Sequence, residues 1–550
     1  MTDKQISIKE ERSKHVENLL GSRSLKKVVV AGPGTGKTYL FSKILKDKKN
    51  TLTLTFVNSL VEDLSLELCG LSDVRTLHSY ARGILSRSSG KNLKIFGKLS
   101  SIIREDTQHI LDQDINFDWI FNQRDESKKE LIEFYKQRRK YYNYYGFTDI
   151  VYTAVLYFEM GNERIPEYTQ IVVDEFQDFN RLEVDLIDLL ARRSPILLAG
   201  DDDQALYQFK GSSNQFIRDR YSQTIPGYEP FNLPFCARCP RVIVDAANDL
   251  INSARKLGHL NGRIDKPFVY FDDPDKDITS SKYPHIFYTQ VFPSQIPWFI
   301  EKKIAEMANE VKGKFSVLII SPYKKQTIQI CKSLRSKGLH NLDYEEKDSE
   351  SVTIFDGYKI LMEDKHDNLG WRIISGFLIH PIQFREIIRK SHESLAKPFE
   401  AFLPVEIIKK VKSNLSILNY INKNRDVNTS ILEDLLKDVE IDQYVLLTSY
   451  IKTVLNSNKA PTGYPEIRKI PVKATTIQSA KGLAADLVFI THFDNQYFLQ
   501  NRDNITITDQ DICNLLVSIT RAKQKLFLIS SNHERPTFLD WISKEKISTI

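Results

Sequence analysis

The sequence predicts an α/β fold built on parallel sheet. Three observations lead there. The β-branched run Val28–Val30 enters the glycine-rich turn AGPGTGKT (Ala31 to Thr38) and leaves it in a segment whose apolar residues, Leu40, Phe41, Ile44 and Leu45, have helical spacing. A second apolar run, Ile171–Val173, stops on the acidic pair Asp174 and Glu175. A third, Pro195–Ala199, runs into Gly200, three consecutive aspartates and Gln204. Short apolar strands alternating with helical patterns belong to βαβ units and parallel sheets.

The first element carries the clearest chemistry. A glycine-rich turn between strand and helix turns backbone N–H groups towards phosphate oxygens, and the helix N-terminus adds its dipole. Gly32, Pro33, Gly34, Thr35 and Gly36 form that cradle, Lys37 is placed to reach the β/γ-phosphates, and Thr38 to hold Mg²⁺. The strict pattern opens on glycine, where this chain has Ala31. A nucleoside triphosphate with Mg²⁺ is the expected ligand.

The other two strands supply acids and an amide. Asp174 stands at a strand C-terminus, where sheets of this kind bind ligands, and suits Mg²⁺; Glu175 suits a general base for an attacking water. The Gln204 amide can sense a γ-phosphate or hold that water. Asp201, Asp202 and Asp203 are costly together unless they face hydrogen-bond donors, a cation or solvent. Phe209 beside Lys210 pairs an aromatic face with a cation, which suits base stacking and phosphate contact; a place in the core is the other reading of Phe209.

Composition bounds the rest. At 550 residues the chain exceeds one core. It is 41% hydrophobic and 27% charged, which excludes wholesale disorder. No apolar run approaches the roughly 18 to 20 residues needed to cross a bilayer, and the N-terminus has no signal core. Five scattered cysteines fit a reducing compartment, so a cytoplasmic location and no membrane partner are expected. Cys236 and Cys239 form a lone C-x-x-C without the second pair of a zinc site. With 77 basic against 71 acidic residues, a net charge of +6, any nucleic-acid footprint must be local.

In this order and context AGPGTGKT, VVDEFQD and AGDDDQALYQFKGS resemble the UvrD/Rep-type helicases of superfamily 1. LTFVNSL (Leu54 to Leu60) resembles the family's segment for energy coupling and strand contact, and VRTLHSYA (Val74 to Ala81) the next. LPFCARCPRVIVDAAN (Leu233 to Asn248) resembles the opening of the second motor domain, TTIQSAKGLAADLVFIT (Thr475 to Thr491) the coupling segment, and LLVSITRAKQKLFLI (Leu515 to Ile529) the last. The resemblance implies two RecA-like motor domains with ATP and Mg²⁺ between them. It implies γ-phosphate-sensing roles for Arg238 and Arg521, and a place at the nucleotide for Gly482. It further implies strand contacts from Asn58, Thr76, His78, Tyr207, Phe209 and Lys210. The partners it implies are single-stranded DNA and single-strand/duplex junctions, with room for a protein partner or nuclease subunit. The implied activity is translocation with duplex unwinding from 3′ to 5′. The alternative is a DNA-stimulated ATPase serving signalling, defence or protein displacement with little unwinding.

The chain departs from the family at named positions. The upstream glutamine that reads adenine lacks its setting, since Gln5 lies in TDKQISIKEE. Gln478 and Ala484 replace a histidine and a glutamate of the coupling segment, and alanine deletes a carboxylate. Phe209-Lys210 stands where tryptophan-arginine is common, and lysine lacks the bidentate fork.

The expected organisation is a first motor domain at 1–84 and 146–230 with an accessory insertion at 85–145, and a second at 231–350 and 465–550 with a shortened helical insertion at 351–464. The first insertion holds a run from Arg138 to Tyr145 in which charge and tyrosines interleave. It either contacts a strand or packs its rings into a core.

Overall fold

The computed structural model describes residues 3–56, 58–272, 285–311, 314–339, 341–344, 351–423, 470–499, 506–531 and 534–550; for 3–9, 58–60, 63, 209 and 421–423 it describes the backbone alone. The helical run 430–455 expected in the second insertion lies outside the described residues.

The first sheet is wholly parallel. Its strands are β1 (Lys26–Ala31), β2 (Thr51–Thr55), β3 (Asp73–Thr76), β4 (Gln170–Val173), β5 (Ile196–Gly200) and β6 (Glu229–Leu233), in the order β3-β2-β4-β5-β1-β6. Because the strands are parallel, the glycine-rich loop after β1, Asp174 after β4 and Asp201 after β5 all emerge at one edge. The helix Lys37–Leu45 buries Leu40, Phe41, Ile44 and Leu45 in one cluster with Val29 and Leu197. Each such side chain contributes roughly 1.5 to 3 kcal/mol, so the loop is held at both ends by core packing. Because β6 pairs with β1, the first sheet reaches Leu233, beyond residue 230.

A short parallel pair, β7 (Phe235–Cys236) and β8 (Val269–Tyr270), follows. The second sheet comprises β9 (Ile286–Gln290), β10 (Val317–Ser321), β11 (Leu342–Asp343), β12 (Val472–Thr476), β13 (Ala485–Thr491), β14 (Ala522–Ser530) and β15 (Ile547–Thr549). It is also parallel, in the order β11-β12-β10-β13-β14-β9-β15. The architecture is α/β, with two RecA-like sheets and helical insertions.

The chain divides into two compact units. Both sheets lie in the first, Met1–Ala81, Thr153–Lys347 and Tyr464–Ile550; the second gathers Arg82–Tyr152 and Asp348–Gly463. The two insertions therefore share one body. Its described helices include Leu99–Leu111, Phe117–Gln123, Lys129–Tyr142, Ile354–Glu363, Asn368–Leu378 and Pro381–Glu393. Asn116 caps the second of these through Trp119 N–H, and Asn143, at φ +61°, ends the third.

The tyrosine run resolves in favour of packing. Arg138, Tyr141, Tyr142 and Tyr144 are buried, so these side chains present no face to a strand. Arg138 donates through Nε and Nη2 to Asp106 at 2.9 and 2.8 Å, and the Tyr142 hydroxyl donates to the same oxygen at 2.5 Å.

Candidate nucleotide site in the motor cleft

A cleft of about 940 Å³ in the first unit brings together every residue the sequence assigned to nucleotide chemistry. The first sheet contributes Gly32 to Thr38, Asp174, Glu175 and Gln204; Arg238, Gly482 and Arg521 come from the segments that follow.

The loop depends on glycine at two positions. Gly34 (φ +69°) and Gly36 (φ +96°) are left-handed, and a Cβ on Gly34 would lie 2.3 Å from Arg238 Cβ. That approach is tied by backbone, because Ala237 N–H donates to Gly34 O at 3.0 Å. The loop and the arginine segment are thus in direct contact.

Lys37 Nζ donates to Glu175 Oε1 at 2.9 Å. Glu175 itself sits at φ +54°, a conformation disfavoured for a side-chain-bearing residue and concentrated at functional sites. Its other oxygen accepts from Gln177 Nε2 at 2.7 Å and lies 3.4 Å from Lys481 Nζ. Burial pushes the Glu175 carboxyl up, but the Lys37 and Lys481 ammonium groups outweigh it and hold the group ionised, below its ordinary range. Asp174 moves the other way, to about 7, through burial and the charge of Glu175. One buried acid is thus held charged and its neighbour made ready for a cation. A hydroxyl at Thr38 and a carboxylate at Asp174 are hard oxygen donors of the kind Mg²⁺ takes.

Lys481, which follows β12, crosses to the first sheet's acidic segment. It donates to Asp178 Oδ2 at 2.5 Å and to Gln204 O at 2.7 Å. Arg521, which immediately precedes β14, reaches the same place: Nη2 donates to Gln204 Oε1 at 3.0 Å. Burial and the neighbouring Arg238 guanidinium push the Arg521 pKa down to about 9. Two cations that oppose each other in a buried cleft favour an anion there.

Sequence reasoning did not single out Lys481, Gln177, Asp178 or Asp201 as site residues, although each stands inside a quoted motif. It also passed over Arg12 and Tyr39, which line the cleft. Arg12 stacks over the Phe271 ring at 4.7 Å.

The residues proposed to touch nucleic acid are dispersed in character. Thr76 is buried and its hydroxyl accepts from Ser79 N–H, so it caps the next helix. Tyr207 is also buried, packed on Phe56, with its hydroxyl donating to Gln478 O at 3.2 Å. Lys210 lies over the Tyr207 ring at 5.6 Å. Burial and the charge of Lys210 hold the His78 pKa down, to about 4. The side chains of Asn58 and Phe209 lie outside those described. Cys236 and Cys239 are buried free thiols, and Cys239 donates to Thr520 O at 3.3 Å.

Comparison with known proteins points the same way as this geometry. Residues 111–224 match the UvrD/REP helicase N-terminal domain. A probable DNA helicase II homolog of Mycoplasma genitalium is 21% identical, with 94% of this chain aligned to 85% of that protein. In these comparisons the chain is similar to the UvrD/Rep-type helicases of superfamily 1. A probable DNA helicase II homolog of Mycoplasma capricolum is 22% identical over 91% of this chain and 81% of its own length. DNA helicase II of Escherichia coli is 39% identical over a shorter stretch, 16% of this chain and 13% of that protein. Among the described residues, no helix is long and apolar enough to cross a membrane.

Proposed function

We propose that this chain is an ATP-driven motor that translocates on single-stranded DNA and unwinds duplex from 3′ to 5′. The observation that carries the reading is the bridge across the cleft, in which Arg521 and Lys481 reach Gln204, Asp178 and Glu175. Hydrolysis chemistry on one sheet is thereby completed by cations from the other, so turnover depends on how the two motor domains close. Similarity to UvrD/Rep-type helicases supports ATP-dependent movement on single-stranded DNA in general, and direction and unwinding rest on the resemblance.

Bound ATP would lie along the Gly32–Thr38 cradle. Lys37 exchanges Glu175 for the β/γ-phosphates, which leaves Glu175 held by Gln177 and Lys481 and free on one side to accept a proton from water. Thr38 and Asp174 would hold Mg²⁺, which supplies positive charge against the phosphate oxygens. Gln204, Arg238 and Arg521 stabilise the transferring phosphoryl group; an arginine in this role is worth roughly 10³ to 10⁵ in rate. The contacts of Tyr207 and Lys481 with the opposite domain carry the change towards the helical segments that hold His78 and Lys210, which alternate their grip on the strand. The residues 351–464 form the shortened second accessory insertion.

A specific observation favours a second reading. Ala484 removes a carboxylate from the coupling segment, which suits a translocase with little unwinding. The test is strand separation of duplexes carrying a 3′ or a 5′ single-stranded tail, beside movement on bare single strands. The proposal expects ATP-dependent separation with the 3′ tail only. Movement without separation on either tail would establish the second reading.

A further inference from the structure

The three consecutive aspartates after β5 are unexplained by the hydrolysis chemistry itself. Their carboxylates lie within 4.8 Å of one another, a spacing that could hold a metal ion. A protein cation stands there instead. Lys266 Nζ is 2.7 Å from Asp201 Oδ1 and 3.0 Å from Asp203 Oδ2, and it also pairs with Asp202. Arg263 grips Asp203 through Nε and Nη2, each at 2.8 Å, and Arg218 Nε meets Asp202 at 3.0 Å. Three carboxylates face three cations, and all six groups are buried or nearly so.

This cluster continues into the site. Asp201 Oδ2 accepts from Gln204 Nε2 at 2.6 Å, while Gln204 Oε1 accepts from Arg521 at 3.0 Å. An ionised carboxylate only accepts, so Asp201 takes the NH₂ end of the amide and turns the oxygen end to Arg521. The orientation of the phosphate-sensing amide is therefore set by Asp201, and Asp201 is held from behind by Lys266. We propose that Lys266 is a positioning residue for ATP hydrolysis, acting through Asp201 on the orientation of Gln204. The inference rests on the motor reading above and adds to it a residue that does not line the nucleotide cleft.

The test is a double-mutant cycle on the full chain, with steady-state ATP hydrolysis in the presence of single-stranded DNA and thermal unfolding as the control for folding. Lys266→Met is expected to lower kcat about tenfold with KM for ATP within about twofold. Made on top of Gln204→Ala, the same change is expected to cost less than about twofold, because the group it orients is gone. Lys266→Arg keeps a cation and is expected to recover most of the loss. If Lys266→Met does not fold, Asp201→Asn carries the same cycle with the same expectation. Losses that multiply in a chain that hydrolyses ATP would overturn the inference alone, as would a Lys266→Met kcat within about twofold of the parent. A parent chain without ATP turnover, or a Gln204→Ala variant with unchanged kcat, would overturn the motor reading and this inference with it.

Discussion

The motor cleft and the core of the paired insertions both bury ionic networks, and they close them in opposite ways. In the insertion unit Asp106 is fully enclosed by Arg138 and Arg372, with Arg372 donating to Oδ1 through Nε at 3.0 Å and Nη2 at 2.9 Å, and Tyr142 donating to the other oxygen. Burial pushes the Asp106 carboxyl up, and the two guanidinium groups overcome it and hold it below the usual range. Arg138 also reaches Ser391 at 3.3 Å and Arg372 reaches Glu105 at 3.0 Å, so residues from both insertions complete one another. In the cleft, by contrast, Arg521 has Arg238 as a neighbour and its pKa is pushed down. Burial of charge does not distinguish a site from a core. The direction of the imbalance does, because a closed network fixes two segments together, whereas like charges held side by side are ready for a ligand of the opposite sign.

This contrast can be broken by mutation. Arg521→Ala should lower DNA-stimulated kcat by roughly 10³, equivalent to about 4 kcal/mol of transition-state stabilisation. It should leave the unfolding midpoint unchanged or raised, since it removes one of two opposed cations. Unchanged turnover would end its role as a cross-cleft cation. Asp106→Ala should do the reverse. It strands two buried guanidinium groups and should cost about 3 to 4 kcal/mol of stability, read by denaturant unfolding, with kcat per folded molecule nearly unaltered. An Asp106→Ala chain as stable as the parent would show that the insertions are joined by other contacts.

A smaller effect separates His78, in the first turn of the helix Leu77–Ser89, from both networks. The folded-state pKa of His78, about 4, lies below its unfolded value of 6.5, so the unfolded chain takes up the extra proton first. Stability should therefore fall as pH drops from about 6.5 to about 4, and His78→Gln should remove on the order of 1 to 2 kcal/mol of that fall after allowance for solvent screening. Parallel stability-against-pH curves for the two chains would contradict the assignment. The other histidines with lowered pKa values, His109, His392 and His492, should preserve the remaining slope.

What was legible in the sequence follows the range of the interactions. AGPGTGKT, the acids after β4 and Gln204 after β5 are local patterns of strand, turn and helix, and parallel strand order brings them to one edge. The cleft residues Gly32 to Thr38, Asp174, Glu175, Gln204, Arg238, Gly482 and Arg521 could be named from motifs, whereas Arg12 and Tyr39, which also line the cleft, could not. Lys481 and Lys266 could not be assigned roles, because their partners Asp178 and Asp201 lie 303 residues and dozens of residues away along the chain. The one sign of Lys266 was indirect, in that three adjacent aspartates needed a cation from somewhere. The run from Arg138 to Tyr145 shows the limit most clearly. The same residues suit stacking on a strand or packing in a core, and only Asp106 and Arg372, each far along the chain, decide between them. Tyr207 is a parallel case, since its ring is buried against Phe56 and its hydroxyl is committed to Gln478.

The central claim is that strand binding and ATP hydrolysis are coupled through the cleft. Its most direct test is steady-state ATP hydrolysis with and without a single-stranded DNA oligonucleotide, beside a Lys37→Ala control. The account predicts stimulation of about tenfold or more by the oligonucleotide, lost along with turnover when Lys37 is removed. Turnover indifferent to single-stranded DNA, or a Lys37→Ala chain that hydrolyses ATP as the parent does, would contradict it.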